Sequence, residues 1–323
     1  GNACNRILST GDGTVTFTGK LSQDMTPSST TTRFLNFGGT GNGAFTGLAN
    51  LTNVTNGAAS GAIAVYKSGT GTWRFAATNM NYTGLTHVMA GNLILDYGAC
   101  DQLSAASNTV ALRGGTMTFR GGTSCATTDT VATVRINDTV ANNYVCSKLV
   151  LDANGGAGVN IVVTNLGVVT PDIPLMYTLL DLSSSTNNAL MFANLQNSIT
   201  AAAAQRGELM FGNFNTQARF VLKTADGYYF PTTNGSGQVV APTTTVLPTW
   251  GFNTATRYLL STPGTTTLTA SGANVMSLTV DSSAGAVTLN AGANSIGPSG
   301  YGKGGGLLCR GSNDVTITGT TGT

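Results

Sequence analysis

The feature that most constrains this chain is a recurring unit, a short run of alternating apolar and polar residues that ends at Gly, Asn, Asp or Ser. In Thr14–Thr18, Val15 and Phe17 fall on one side of an extended chain and the threonines on the other. Because successive side chains of a strand point to opposite faces, this alternation predicts half-buried β-strands. The same pattern predicts strands at Thr72–Ala76, Asn92–Asp96, Thr109–Arg113, Thr116–Arg120, Lys148–Asp152, Met276–Asp281, Ala286–Asn290 and Asp314–Thr318.

Charged residues in these runs fall on the side opposite the large apolar residues. In Thr72–Ala76, for example, Trp73 and Phe75 share one side and Arg74 takes the other. We therefore expect sheets with one buried face and one face in water, with Trp73, Phe75 and Phe119 pointing inward.

The spacing of the runs favours a solenoid among the all-β folds. Leu95 follows Phe75 by 20 residues, and Phe119 follows Leu95 by 24. Repeats of this length are typical of solenoids and propellers, and one coil of two or three short strands with tight turns needs about this many residues. We predict an all-β fold, a parallel β-helix (β-solenoid) whose short strands are bounded by Gly and Asn.

Composition agrees with stacked coils. Equivalent positions of neighbouring coils lie about 4.8 Å apart, so rows of like charge would repel one another. Charged residues make up 9 % of the chain, against about 25 % in ordinary globular domains. Threonine, about one residue in six, tolerates such stacking because it is β-branched and its hydroxyl can bond a neighbour. The 43 glycines fit the corners between strands.

The pattern divides the chain into three parts. Residues 1–125 are predicted to form N-terminal solenoid coils, 126–245 a continuing solenoid with a less regular middle insertion, and 246–323 C-terminal coils. Within the middle part, apolar spacing in Asn188–Arg206 is compatible with a helix that Gly207 would end. An irregular coil or insertion is the alternative.

Several functional classes receive no support. A net charge of +2 with sparse Lys and Arg gives no electrostatic footprint for nucleic acid. No run of about 18 apolar residues predicts a membrane helix. Catalytic, cofactor and metal sites are not predicted, because His87 is the one histidine and no calcium or phosphate-loop motif is present. We expect His87 to be exposed, on the same side of its strand as Met89.

Acidic residues leave catalysis open in principle. Glycosidase chemistry needs two carboxyl groups about 5–10 Å apart. Acidic pairs close in sequence include Asp96 with Asp101 and Asp129 with Asp138. Stacked coils can bring acidic residues that are more distant in sequence together, but we do not expect this protein to be an enzyme.

One stretch resembles a known family. The segments Ser68-Gly-Thr-Gly-Thr-Trp-Arg-Phe75, Asn81-Tyr-Thr-Gly-Leu-Thr86 and Val88-Met-Ala-Gly-Asn-Leu-Ile-Leu95 resemble the autotransporter-associated β-strand repeat, with looser echoes at Gly264–Ala291 and Tyr301–Gly319. The resemblance implies a right-handed parallel β-helix that is exported and displayed on a bacterial surface. We therefore expect an extracellular or cell-surface location.

The five cysteines suggest covalent links. None forms a CxxC pair, and an odd number leaves at least one thiol free or shared between molecules. Cys100 and Cys125 are 25 residues apart, and Cys125 and Cys146 are 21 apart. Both separations are close to one coil, so these three residues are alternative disulfide candidates. Cys4 and Cys309 lie near opposite ends of the chain and are possible intersubunit thiols.

The ends of the predicted solenoid suggest a function. A solenoid exposes unpaired strand edges unless they are capped, and neither Gly1–Phe17 nor Asp314–Thr323 resembles a charged, amphipathic or proline-rich cap. We expect a structural protein, a surface or adhesive fibre component that polymerises head to tail with its own copies or contacts a host or neighbouring cell surface. One alternative is a non-polymerising adhesin passenger module. Another, less favoured, is a β-helix that binds or cleaves polysaccharide, with Tyr228, Tyr229 and Trp250 as candidate exposed aromatic residues.

Overall fold

The computed structural model describes residues 4–19, 32–50, 54–56, 59–79, 82–98, 108–124, 126–136, 146–168, 177–193, 210–211, 218–247, 256–269, 273–274, 277–294, 296–297 and 306–319. Within these residues every regular element is a β-strand, which confirms the predicted all-β class. In chain order the strands are β1 (Cys4–Leu8), β2 (Thr14–Phe17), β3 (Arg33–Gly38), β4 (Asn42–Asn50), β5 (Val54–Asn56), β6 (Ala59–Gly61), β7 (Ile63–Lys67), β8 (Thr72–Asn79), β9 (Thr86–Val88), β10 (Asn92–Asp96), β11 (Thr109–Leu112), β12 (Thr116–Arg120), β13 (Thr127–Ile136), β14 (Lys148–Asp152), β15 (Val159–Val168), β16 (Tyr177–Asp181), β17 (Ala189–Phe192), β18 (Met210–Phe211), β19 (Ala218–Thr224), β20 (Gly227–Tyr229), β21 (Thr232–Thr233), β22 (Val239–Val240), β23 (Thr245–Val246), β24 (Arg257–Leu260), β25 (Gly264–Thr267), β26 (Ala273–Asn274), β27 (Ser277–Asp281), β28 (Val287–Asn290), β29 (Ile296–Gly297), β30 (Gly306–Arg310) and β31 (Val315–Thr318).

Most of the chain forms one stack of coils, here called the first stack, with a strand of each coil in each of two sheets. Sheet A has the order β1-β3-β7-β9-β11-β13-β15-β17, and sheet B runs β18-β19-β16-β14-β12-β10-β8-β4-β2 with β20 beside β19. Strands of successive coils pair in parallel, for example β10 with β8 and β12. This topology confirms the predicted parallel β-solenoid.

The register confirms the predicted repeat. Phe75, Leu95 and Phe119 are direct partners in neighbouring strands of sheet B. Each is fully buried, as the alternation predicts. Leu35 and Val65 are likewise aligned and buried in sheet A. Burial of each such side chain contributes about 1.5–3 kcal/mol, so these inward rows are the main source of stability.

Strands β23 to β31 form a second stack with its own core. Its sheets have the orders β23-β24-β27-β30, β25-β28-β31 and β26-β29. The core of the first stack includes residues from Leu35 to Val239, and that of the second includes residues from Leu247 to Leu289.

The two stacks touch where Arg310 in β30 meets strand β20. Its guanidinium lies 4.4 Å from the centre of the Tyr229 ring, and its Nη1 donates a hydrogen bond of 2.9 Å to the carbonyl of Tyr228. The last coil of the second stack therefore contacts the hairpin that ends the first.

The far end of the first stack is closed by antiparallel structure. Strands β18 and β20 both pair antiparallel with β19. Over β17, the Phe192 amide donates to the carbonyl of Gly237, beside the antiparallel hairpin of β21 and β22. Antiparallel strands break the coil repeat and so cap this end.

The prediction of a helix that begins at Asn188 is wrong, because Ala189–Phe192 forms strand β17. Leu190 and Phe192 pack inward at alternate positions, aligned with Ile161 and Val163 of the preceding coil. Burial on a period of two therefore prevails over the helical spacing. Residues 194–206 lie outside the described residues.

Glycine permits the tight corner between sheets A and B. Gly39 has a φ of +96°, which other residues rarely adopt. At position 71 glycine is required by space rather than by φ, because a Cβ there would lie 1.9 Å from the carbonyl oxygen of Gly41 in the coil below. Gly71 N–H also donates a 3.1 Å hydrogen bond to the carbonyl of Gly39, so the corners stack in direct backbone contact.

This contact predicts that Gly71→Ala lowers the free energy of unfolding by more than about 2 kcal/mol, because backbone must move to admit the methyl group. Gly13→Ala is the matched control in the equivalent corner of the first coil, where a Cβ would meet nothing within 4 Å. Urea unfolding followed by circular dichroism measures both. Equal stability of the two variants would contradict the stacked-corner geometry.

Candidate functional site

The N-terminal end of the first stack exposes the inside of a coil. Among the described strands, none pairs with the outer edges of β1 and β2. Val15 is aligned with Gly43 and faces the core, yet it is 40 % exposed. Ile7 and Phe17 also face inward and are half-buried, and the Phe17 ring stacks on Phe45 with centroids 5.1 Å apart. The inward row of apolar side chains thus ends in contact with water.

The last coil of the second stack ends in the same way. Strands β30 and β31 are the outermost described strands of their sheets. Leu307 is aligned with buried Leu278 but is 49 % exposed, and Ile317 is aligned with buried Leu289 but is 48 % exposed. We call the β1–β2 surface the N-face and the β30–β31 surface the C-face.

The other described ends are unlike these two. The far end of the first stack is covered by β18 and β20. The first coil of the second stack presents Gly264–Thr267 at its edge, where threonines replace large apolar side chains. Apolar side chains at core-facing positions are therefore exposed at the N-face and the C-face.

Three of the five candidate cysteines, Cys4, Cys146 and Cys309, lie within the described residues. Cys4 lies in β1 of the N-face, and Cys309 is a free, exposed thiol in β30 of the C-face. Partial burial raises the pKa of the Cys309 thiol. Cys146 is also free and exposed. Cys100 and Cys125 lie outside the described residues, so their disulfide pairing stays a prediction.

The prediction that His87 is exposed is wrong. Its side chain is 3 % exposed, while Met89 is 42 % exposed as expected. Thr86 and Val88 pack inward, so His87 does lie on the outer face of sheet A. There its ring stacks on Tyr66 of the preceding coil, with centroids 4.3 Å apart. Alternation indicated the side of the strand but not the contact between coils that covers it.

Sheet B carries rows of charge that change sign from coil to coil. Asp96 and Arg120 are direct partners, as are Arg120 and Asp152. Asp96 Oδ2 lies 2.7 Å from Arg74 Nε and 3.8 Å from Arg120 Nη1, and Arg120 Nε lies 3.5 Å from Asp152. Stacking that would repel between like charges is attractive here.

A second row repeats this arrangement. Asp181 Oδ2 lies 2.9 Å from Lys148 Nζ and 3.3 Å from Lys223 Nζ. Burial alone would raise the pKa of Asp181, but hydrogen bonds from Ser183 and the Lys148 ammonium outweigh it and lower the pKa to about 2. The carboxylate is therefore charged at all ordinary pH values.

Two shallow grooves lie over these rows. One, of about 440 Å³, is lined by Arg74, Asp96, Arg120 and Asn154 among others. The other, of about 520 Å³, is lined by Lys148, Asp152 and Asp181 among others. Each of these aspartates is held in an ion pair with a cationic side chain.

The predicted acidic pairs are not brought together as pairs. Asp96 joins the arginines, and Asp129 Oδ2 accepts a 2.6 Å hydrogen bond from the Tyr97 hydroxyl. Asp101 and Asp138 lie outside the described residues. In the described part of the chain, no group of three or more His, Cys, Asp or Glu residues is arranged to hold a metal ion. That part also holds no helix with the length and apolar character to cross a membrane.

Of the aromatic candidates for a polysaccharide platform, Tyr228 is 39 % exposed and Tyr229 is partly buried against the core. Trp250 lies outside the described residues. No row of exposed aromatic rings is formed by Tyr228 and Tyr229.

A buried lysine occupies a core position that the sequence pattern did not single out. Lys67 is fully buried and aligned between Phe37 and Val88. Its Nζ donates to the carbonyls of Ser68, Gly69 and Ala90 at 2.7, 2.8 and 3.1 Å. Burial lowers its pKa to about 8. The sequence does contain a signal for this burial. Lys67 falls on the same side of the strand as Ile63 and Val65 and is followed by a glycine corner.

Comparisons with known proteins give no match: no family model, no curated protein and no solved structure is similar to this chain. The geometry of the ends and the charge rows therefore carries the functional argument.

The Asp181 row predicts a stability change in acid. The folded-state pKa of Asp181 is below its ordinary value of 3.8, so its contribution is present above about pH 4 and is lost as pH falls towards 2. Asp181→Asn should lower the urea midpoint at neutral pH and flatten its decline between these pH values. Asp226→Asn, at an exposed turn, is the control. An unchanged acid profile in Asp181→Asn would contradict the assignment.

Lys67 predicts a second rise of stability with pH, in the basic range. Its folded-state pKa is about 8 against an ordinary 10.5, so between these values the unfolded chain holds more protons and stability rises with pH. Lys67→Met should abolish that rise, measured as urea midpoints at about pH 7 and about pH 9.5. If wild type and variant show the same slope, the buried ammonium does not titrate as described.

Proposed function

We propose that this protein is an extracellular structural β-solenoid, a surface or adhesive fibre component whose copies join end to end. The observation that carries the proposal is the exposure of core-facing apolar residues at both the N-face and the C-face. A second coil on either face would bury them as the interior coils bury theirs.

Strand polarity determines which faces can meet. All coils stack in parallel, so an added coil must keep the same strand direction. The C-face of one copy then meets the N-face of the next. Such a contact joins two different surfaces and repeats without closing unless the rotation forms a ring, which is the arrangement that builds filaments.

The outer surface suits a fibre component. Charges are few and several are neutralised within the Asp96 and Asp181 rows, which limits repulsion between copies. The resemblance of Ser68–Leu95 to the autotransporter-associated β-strand repeat supports display on a bacterial surface. The same surface would then contact a host or neighbouring cell, and we propose a structural rather than a catalytic role.

The proposal predicts that concentrated wild-type protein forms elongated fibres and that Ile317→Asp remains monomeric. A charge at the junction would have to be buried unpaired, which costs about 3 kcal/mol or more and weakens association at least about 100-fold. Sedimentation velocity and negative-stain microscopy measure the result.

Met89→Asp is the matched control, because it adds the same charge at a side chain of similar exposure away from both faces. It should assemble like wild type. A wild-type protein that stays monomeric at high concentration would overturn the proposal and favour the non-polymerising passenger module.

A further inference from the structure

We infer the register of the junction: β30 of one copy pairs in parallel with β1 of the next and β31 with β2, so that Ile317 meets Phe17 and Cys309 meets Ile7. This inference rests on the proposed end-to-end assembly. The partner that covers the N-face is a second copy of this chain.

The terminal coils have the same layout. On the N-face a strand of 5 residues, β1, is followed by the link 9–13 and a strand of 4 residues, β2. On the C-face a strand of 5 residues, β30, is followed by the link 311–314 and a strand of 4 residues, β31. In the inferred register residues 311–314 lie opposite residues 9–14, a difference of two residues that the chain already accommodates where 9–14 stacks on 39–42.

The inward side chains of β31 and β2 match in one register. Val315 and Ile317 continue the rows of Val287 and Leu289. Val15 and Phe17 begin the rows that continue at Gly43 and Phe45. Pairing Val315 with Val15 and Ile317 with Phe17 joins these rows without a break.

Other registers lose apolar contact. A shift of one residue places threonines against the apolar row, because side chains alternate between faces. A shift of two residues that pairs Ile317 with Val15 leaves Phe17 and Val315 without partners. For the β31–β2 pair the matched register is therefore favoured by burial.

Charges on the other strand pair are compatible with this register. With Cys309 beside Ile7, Leu308 lies beside Arg6 and Arg310 beside Leu8. Arg310 already pairs with Asp281 at 2.6 Å. No two like charges of the described strands become direct neighbours, so repulsion does not oppose the pairing.

The register gives the two terminal cysteines different environments. Cys4 lies beside Gly306, three residues along the strand from the position opposite Cys309. That offset is about 10 Å, beyond the reach of a disulfide. Cys309 instead enters the junction core as a reduced thiol, which argues against Cys4–Cys309 as the intersubunit link.

Cross-linking between two variants tests the register. Thr16 and Thr316 are direct partners in it and both are exposed on outer faces. Their Cα atoms would lie about 4.8 Å apart, within disulfide range. Mixing Thr16→Cys with Thr316→Cys under mild oxidation should give a disulfide between the two introduced thiols, identified by mass spectrometry of the linked peptides.

The matched control mixes Thr14→Cys with Thr316→Cys, in which the Cα atoms are offset to about 8 Å and should not cross-link. Fibres in which this pair, or neither pair, cross-links would overturn the register and leave the proposed function standing. Absence of fibres from wild type would instead overturn the proposed function itself.

Thiol labelling gives an independent readout. Cys309 and Cys146 are both free and exposed in the single chain. In fibres, iodoacetamide labelling of Cys309 should slow at least about tenfold while labelling of Cys146 stays unchanged, because the junction buries the first thiol alone. Equal rates for Cys309 in monomers and fibres would contradict the inference.

Discussion

Parallel pairing in register is the interaction on which the rest of the structure depends. It aligns equivalent positions of successive coils, such as Phe75, Leu95 and Phe119, so that each inward residue packs on its counterparts above and below. The same alignment brings Asp96 to its arginines on the outer face and Gly71 to the carbonyl of Gly41 at the corner. One geometric rule therefore governs core, surface and turns. It also means that a coil without a neighbour exposes its core.

The unusual composition follows from this rule. Stacked charges attract where neighbours differ in sign, as in the rows around Asp96 and Asp181. Uncharged residues occupy other outer positions, as in the row of Thr265, Thr288 and Thr316. Lys67 is the exception inside the core, and its three carbonyl acceptors explain how an ammonium is held there. The first stack ends where antiparallel β18 and β20 interrupt the coil repeat.

Local pattern and spacing are sufficient to predict strands such as β8, β10 and β12, their stacking in coils and the inward direction of Trp73. They succeed because alternation records which side of each strand is buried. They fail where a contact between coils decides the environment. Burial of His87 under Tyr66 and the place of Asp96 between two arginines depend on register, which a single strand does not specify. The spacing of apolar residues in Asn188–Arg206 is compatible with a helix. Strand β17 has four residues, too few for the alternation of Leu190 and Phe192 to distinguish a strand from a helix.

In the proposed fibre, the coil repeat continues from one molecule into the next. Helical reconstruction of wild-type fibres by cryo-electron microscopy tests it most directly, by locating β30 of one copy relative to β1 of its neighbour. Continuation of the coil repeat predicts a parallel pair about 4.8 Å apart, the spacing found between coils within a sheet. Fibres in which both strands face solvent, with copies joined through their lateral surfaces, would contradict it.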